Sequence, residues 1–350
     1  MLRNNKLFFT ISLVMLGIVL ILAIAFGAVS ISVSEMGSAI VHYFQGKGPA
    51  SIHEGVFLQL RLPRVLLCGI TGAILAVSGV LMQGLFRNPI VEPGLAGTSA
   101  GAAFGASLIF VLGPMISPVI KEITGPFLVP LFAFAGGLLA TYLVYSLARN
   151  ASRISIMSLL LVGIAVNALA LSGTGFMTYI ARDPQARSIT FWNLGTFAGA
   201  SWLQVWITGA VAITIFAFSF RYSKQLNALL LGEEEAGYLG VDTRKLKNRI
   251  LILNTAMVSV ATAFVGVIGF MGLIVPHIIR LLLGSDNKKI LPAAMIMGAL
   301  LMILADMGAR LLLAPAEMPI GIITSLVGAP IFILLLKQFN ILGQKGGYNA

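Results

Sequence analysis

The sequence predicts an all-α polytopic membrane protein with ten transmembrane helices, built as a single domain over residues 1–350. The chain is 58% hydrophobic and only 10% charged, whereas a soluble domain carries about a quarter charged residues. Long apolar runs recur along its whole length. The net charge of +11 is scattered in short clusters between these runs, which argues against nucleic acid as a partner, because a nucleic-acid surface needs one basic face.

Each predicted span is an apolar run of roughly 17 residues or more, the length that crosses a bilayer. The first run is longer than the apolar part of a signal peptide, so we interpret it as a retained span. The spans are expected at residues 7–29, 62–86, 94–112, 127–148, 154–176, 201–220, 250–268, 270–284, 290–309 and 318–337.

The basic residues predict the orientation of these spans. Most Lys and Arg residues fall in the loops on the side of the two termini, and basic loops stay in the cytoplasm. Both termini and the loop at residues 221–249 are therefore expected in the cytoplasm, with the spans in contact with membrane lipid.

Two spans are interrupted by Gly and Pro, around residues 88–94 and 272–277. Each interruption follows the first long span of one half of the chain. Irregular backbone at membrane depth is tolerated where it is buried in protein or lines a cavity. The pair therefore suggests an internal repeat and a transport path.

The loop at residues 221–249 is polar and charged, yet it contains an apolar patch. Its pattern predicts two short helices, interrupted at Gly232 and ended at Gly240. Three carboxylates, Glu233 to Glu235, fall in the first turn of the second helix, where the helix dipole favours them. The segment is either a plain connection or a docking surface for a cytoplasmic partner.

Three arginines oppose the charge trend on the outer side: Arg61, Arg64 and Arg310. They either contact lipid headgroups or pair with carboxylates of an external partner. Asp306 lies one helical turn before Arg310, which favours a structural ion pair over a proton relay.

The chain contains no phosphate-binding loop, nucleophile elbow or zinc-protease motif. None of His42, His53 and His277 has a neighbour at metal-ligand spacing, so no metal site is expected. The sequence therefore predicts a transport subunit without catalytic residues, and not an enzyme.

Motifs in a fixed order resemble, over nearly the whole chain, the permease subunits of bacterial ABC importers for iron-siderophores, haem and vitamin B12. They are LRLPR (60–64), SGVLMQG (78–84), RNPIVEPG (87–94), GTSAG (97–101), LGEEEAGYLGV (231–241), GFMGLIVPHIIR (269–280), Asp306 with Arg310, and AEMPIG (316–321) before GAP (328–330).

The resemblance implies the type II importer fold of the vitamin B12 permease and a homodimer with its substrate path on the two-fold axis. Two cytoplasmic ATPase subunits would bind ATP and Mg, while this chain holds no cofactor. A periplasmic or surface substrate-binding protein would dock outside.

The resemblance also implies roles for individual residues. The ATPase contact would comprise Leu226, Leu230, Gly232, Glu233, Glu234, Ala236, Leu239 and Gly240. The binding protein would dock on Arg61, Arg64 and Arg310. The cytoplasmic gate would include Asn88 and Ile90, and the path would be lined by Asn167, Leu171 and Thr324.

The stretch at residues 188–202 and the loop motif are most similar to the haem-type branch, so haem is the favoured substrate. A ferric siderophore and cobalamin are the alternatives within the family. A secondary transporter that couples uptake to ions through Asp306 or Glu317 is the alternative from another class.

Overall fold

A computed structural model describes residues 5–27, 29–116, 125–148 and 156–345, and these ranges contain helices but no strands. A π-helical turn covers Phe57–Arg61, directly before the helix that begins at Leu62, and a short 3-10 turn covers Pro93–Ala96, before the helix that begins at Thr98. The helices are α1 (Asn5–Ala25), α2 (Val33–Phe44), α3 (Ile52–Val56), α4 (Leu62–Phe86), α5 (Thr98–Leu112), α6 (Leu128–Ala148), α7 (Ile156–Ile180), α8 (Gln185–Asn193), α9 (Trp202–Arg221), α10 (Ser223–Leu231), α11 (Glu233–Tyr238), α12 (Thr243–Val265), α13 (Met271–Leu283), α14 (Asn287–Leu311) and α15 (Ile320–Lys345).

Each of the ten predicted spans corresponds to a helix, and the all-α fold is confirmed. Eight helical segments of the described chain are long and apolar enough to cross a membrane, and α13 and residues 320–334 of α15 are shorter apolar helices. Some predicted boundaries were wrong. The third span begins at Thr98 because Pro93–Ala96 forms the 3-10 turn, and the first ends at Ala25.

Helix α4 lies at the centre of the bundle. It is the most buried of the candidate spans and packs against α1, α9, α12, α13 and α14. Its contact with α14 is close because Gly72 faces Gly298, and a Cβ on either glycine would overlap the backbone carbonyl of the other. Small residues thus let the two backbones touch, as is common between membrane helices.

The second interruption was placed wrongly, since residues 272–277 are helical and the irregular backbone covers residues 266–270. Pro276 lies inside α13, where it has no N–H for the carbonyl of Gly272 four residues earlier. Gln83 of α4 supplies the missing donor, because its Nε2 lies 3.3 Å from that carbonyl oxygen. A neighbouring helix thus permits the proline at membrane depth.

The two interruptions meet in the folded chain. Glu92, in the first, accepts a hydrogen bond from the backbone N–H of Phe270 at 3.1 Å, just before α13 begins. Pro93 packs so closely on Gly272 that a Cβ there would lie 2.5 Å from the proline ring. The irregular backbone is therefore buried in protein, which explains how a membrane-spanning fold tolerates it.

The sequence analysis missed the helices α2 and α3 between the first two predicted spans. Their signals were present: Ser32 with Glu35, and Ser51 with Glu54, have the spacing of a capping box. The Ser32 and Ser51 side chains accept hydrogen bonds from backbone N–H groups three residues on.

The two helices are joined by His–Glu contacts. His53 lies 2.5 Å from Glu35, and His42 lies 3.0 Å from Glu54. Hydrogen bonds from Ser32 and His53 lower the pKa of Glu35 to about 2. The loop is therefore a folded hairpin of helices.

Candidate functional site

The segment at residues 223–240, which we call the α10–α11 segment, is attached to the transmembrane helices by specific contacts. Asn227 donates to Oδ1 of Asp286 at 2.7 Å and accepts from the backbone N–H of Asn287 at 2.8 Å. Leu226 is fully buried and packs on the end of α4. Helix α10 is thus attached both to the start of α14 and to the end of α4.

The second short helix is attached to α12. Glu233, its first residue, accepts hydrogen bonds from Nζ of the largely buried Lys247 at 2.6 and 2.7 Å. The interruption at Gly232 and the end at Gly240 are where the sequence predicts them. Gly240 has φ +80°, and the helix ends with the pair of backbone hydrogen bonds of a Schellman motif.

The residues expected to contact an ATPase divide into two groups by exposure. Leu226, Gly232 and Ala236 are buried, and Glu233 is half-buried in its ion pair. The other four are exposed: Leu230, Glu234, Leu239 and Gly240.

The outer surface of the segment also contains residues that the sequence analysis did not select: Leu231, Glu235 and Tyr238. Tyr238 is 89% exposed and Leu231 68%. Two of them could have been predicted from the glycines. Leu231 comes directly before the interruption at Gly232, and Tyr238 lies in the last helical turn before Gly240. The segment therefore presents large apolar side chains beside carboxylates.

A cluster of buried charges lies at the opposite end of α4, roughly 37 Å away for a helix of this length. The carboxylate of Asp306 accepts from Nε and Nη2 of Arg64 at 2.9 to 3.2 Å and from Nε of Arg310 at 2.9 Å. Arg64 also donates to Glu317 at 2.9 Å. The predicted pair of Asp306 and Arg310 is confirmed, and Arg64 joins it from a distant part of the sequence.

The third arginine of this cluster is held differently. Among the described residues, no carboxylate lies within ion-pair distance of Arg61, which instead donates to the backbone carbonyls of Phe26 and Val29. Arg310 likewise donates to the carbonyls of Ala23 and Phe26, at 3.0 and 3.1 Å. The end of α1 is therefore fastened to the cluster by two guanidinium groups.

A cavity of about 280 Å³ opens beside these charges and is lined by Arg61, Arg64, Arg310 and Glu317. Three arginines and two carboxylates leave the cluster with one positive charge in excess. The Arg61 and Arg310 residues are only 8% and 7% exposed. The cluster is thus chiefly an internal support, with the cavity as its accessible part.

The expected gate residues follow α4 directly. The side chain of Asn88 accepts a hydrogen bond from the backbone N–H of Ile90 at 3.0 Å, which fixes the turn. Ile90 is exposed and points away from the core. Both residues lie between the end of α4, which contacts Leu226, and the half-buried Glu92 with the buried Pro93.

The residues expected to line the substrate path lie on two helices that pack against different neighbours. Asn167 is half-buried and Leu171 exposed on α7, which packs on α5 and α6. Thr324 is buried on α15, where its hydroxyl donates to the carbonyl of Gly321, and α15 packs on α13 and α14. In the part of the chain that the structure describes, no three His, Cys, Asp or Glu residues could hold a metal ion.

A bundle of helices long and apolar enough to cross a membrane, with paired interruptions that meet inside it, is typical of the class of membrane transport permeases. The chain belongs to the FecCD transport family, whose model matches residues 15–338. It is a permease of an ABC importer.

Similar proteins agree with this membership. The hemin transport system permease HmuU of Yersinia pestis is 43% identical over 81% of this chain and 84% of its own. The vitamin B12 import system permease BtuC of Vibrio parahaemolyticus is 38% identical over 81% and 83%.

A solved structure described as an inward-facing conformation of a metal-chelate type ABC transporter is also similar. It superimposes with a TM-score of 0.82 at 31% identity, over 96% of this chain and all of its own. The structure of PsaBC from Streptococcus pneumoniae, at 19% identity and a TM-score of 0.53, agrees in fold alone.

Proposed function

We propose that this permease moves haem across the bacterial inner membrane, with both termini in the cytoplasm. The observation that carries the choice of substrate is the 43% identity to a hemin permease, against 38% for a vitamin B12 permease over a similar share of the chain. The haem-type resemblance of residues 188–202 points the same way. Ferric siderophores and cobalamin are the competing substrates within the family.

The working unit is a homodimer with two ATPase subunits that bind ATP and Mg. Each ATPase docks on the exposed side chains of the α10–α11 segment, chiefly Leu231, Tyr238 and Leu239. Large apolar side chains exposed beside carboxylates are typical of an interface centre with a polar rim. The buried members of the segment, such as Leu226 and Ala236, fix its shape.

Closure of the ATPases moves the permease through these attachments. A displacement of α10 is passed to α14 through Asn227 and to α4 through Leu226. Helix α4 continues directly into Asn88 and Ile90, so its end and the gate move together. The path itself runs on the dimer axis between Asn167 and Leu171 of one set of helices and Thr324 of another.

At the other end, a substrate-binding protein docks over the cavity beside Arg61 and Arg64. The excess positive charge and the accessible cavity support an acidic partner side chain there. Because the arginines already have internal partners, this contact orients the binding protein on the permease more than it strengthens the binding. Specificity for the substrate resides largely in the binding protein.

The proposal is tested by uptake into vesicles that contain this chain with its ATPase and binding protein. Haem, a ferric siderophore and cobalamin are compared, each with ATP or with a proton gradient. We expect ATP-dependent uptake of haem. ATP-dependent uptake of another ligand would show that haem is not the substrate. Uptake driven by the proton gradient without ATP would show that no ATPase drives this permease.

A further inference from the structure

An open groove lies on the side of the bundle between α6 and α12. Its volume is about 380 Å³, and Tyr142 and Ile252 on its two sides are each about two-thirds exposed. The lining residues are Leu138, Thr141, Tyr142, Tyr145, Asn248, Leu251, Ile252, Thr255 and Ala256. Both helices are long and apolar enough to cross a membrane, so the groove lies at membrane depth.

The polar groups of the groove are already paired. The Tyr145 hydroxyl donates to Oδ1 of Asn248 at 3.2 Å, and the Thr255 hydroxyl donates to the carbonyl of Leu251 at 2.7 Å. The Thr141 hydroxyl is paired with that of Thr98. The groove therefore presents an essentially apolar surface, which suits a hydrocarbon chain.

Two basic residues continue the groove beyond the apolar part of α12. Arg244 and Lys245 precede Asn248 by four and three residues, so they lie on the same face of the helix, one turn nearer its start. Both are exposed. Lys245 has a salt bridge to the exposed Asp242, whereas none is found for Arg244 among the described residues.

The other basic residues at the start of α12 point elsewhere. Lys247 is buried against Glu233, and the Arg249 guanidinium lies 6.0 Å over the ring of Tyr222. The positive charge at the mouth of the groove thus comes from Arg244 and Lys245, and not from the helix end as a whole.

We propose that the groove binds an acyl chain of an anionic phospholipid whose phosphate lies against Arg244 and Lys245. Basic pockets between membrane helices near the membrane surface suit anionic headgroups. The acyl chain fills the apolar groove at membrane depth, and the position of the two cations selects the headgroup. A bound lipid would then join α6 to α12 beside the α10–α11 segment.

The test uses the full-length chain in nonionic detergent, titrated with phosphatidylglycerol or phosphatidylethanolamine of identical acyl chains and followed by native mass spectrometry. We expect tighter binding of phosphatidylglycerol. The double variant Arg244→Gln, Lys245→Gln should lose about fivefold in phosphatidylglycerol affinity for each charge removed. Arg249→Gln is the matched control and should keep the wild-type affinity.

A second variant tests the groove itself. Ala256→Phe places a ring in the groove and should weaken binding of both lipids. The proposal is wrong if the double variant keeps its affinity, or if Arg249→Gln loses as much, since the charge would then act diffusely. It is also wrong if Ala256→Phe lowers the dimer fraction and leaves lipid binding unchanged, because the groove would then contact a second copy of the chain.

Discussion

The two ends of α4 use charged and apolar residues in opposite ways. At one end the α10–α11 segment holds itself in place with Asn227 and Glu233 and leaves Tyr238 and Leu239 exposed. At the other end Asp306 and Arg310 are buried, Arg64 is largely buried, and both arginines bind the Asp306 carboxylate. Both regions have the sequence pattern of a docking surface, yet only the first presents expected contacts to solvent: four of its eight residues are exposed, whereas none of Arg61, Arg64 and Arg310 is.

The difference shows why charge alone is a weak guide to an interface. A buried carboxylate between two guanidinium groups is costly to disrupt, because the remaining charges lose their partner away from water. An exposed apolar side chain costs little when removed from the free chain and matters only to a partner. Substitutions at the two ends should therefore separate stability from coupling.

The largest expected effect is at the buried cluster. Asp306→Asn leaves Arg64 and Arg310 without their shared carboxylate, so the free energy of unfolding should fall by about 3–5 kcal/mol. Denaturant unfolding of the purified chain in detergent measures it. The control is Glu317→Gln, because that carboxylate is partly exposed and such pairs contribute at most about 1 kcal/mol.

Equal stability of Asp306→Asn and the wild-type chain would remove the contrast between the two ends. The cluster would then be an adaptable surface, and the arginines would be available to an external partner without cost. Such a result would also strengthen the docking hypothesis for Arg61, Arg64 and Arg310.

An intermediate effect is expected at the exposed end. Tyr238→Ala should weaken binding of the ATPase by about 2 kcal/mol, roughly thirtyfold, if this ring is a central contact of the interface. The free energy of unfolding of the Tyr238→Ala chain should change by less than about 0.5 kcal/mol, because the ring is exposed. Affinity of the reconstituted complex and stability of the free chain are measured on the same variant.

The matched control for that experiment is Tyr179→Ala, since Tyr179 is equally exposed at the end of α7. Its removal should leave ATPase binding unchanged. Comparable losses for the two tyrosines, or a destabilised Tyr238→Ala chain, would contradict a docking role for the α10–α11 segment.

The smallest effect concerns the attachment of α10. Asn227→Ala removes the hydrogen bond to Asp286, and such a bond to a charged group contributes about 1.5 kcal/mol. Amide hydrogen exchange in α10 at pH 7 should become roughly tenfold faster. Asn227→Asp places a second carboxylate beside Asp286 and should loosen α10 further, whereas slower exchange in either variant would argue against the attachment.

This attachment should also depend on pH. The hydrogen bond from the Asn227 amide is the main cause that lowers the pKa of Asp286 below its ordinary value. A carboxylate whose pKa is lowered by folding stabilises the fold at pH values above its pKa in the unfolded state. This stabilisation is lost as the pH falls through its pKa in the folded state. Wild type and Asn227→Ala should therefore differ in α10 stability near neutral pH and converge below that pKa.

Several features could be predicted from the sequence because their causes lie within a few residues of one another. The interruption at Gly232 and the end at Gly240 follow from the backbone freedom of glycine. The pair of Asp306 and Arg310 follows from helical spacing. The helices α2 and α3 have an equally local signal in the Ser–Glu spacing at residues 32–35 and 51–54, but they are too short to form an apolar run of span length.

Other features depend on residues far apart in the chain. Arg64 lies 242 positions before Asp306, and Gln83 lies 189 positions before the carbonyl of Gly272 that it binds. No periodicity links such positions. The second interruption was misplaced for this reason, because the sequence shows Pro276 but not the donor that lets the helix continue through it.

The class of this protein follows from its sequence, since bilayer thickness sets the length of each apolar run and glycine and proline set the helix ends. Its family follows too, through motifs in a fixed order. The tertiary structure alone decided which charged and apolar residues face inward. Exposure depends on which helices pack together, and in this chain α4 gathers contacts from across the whole sequence.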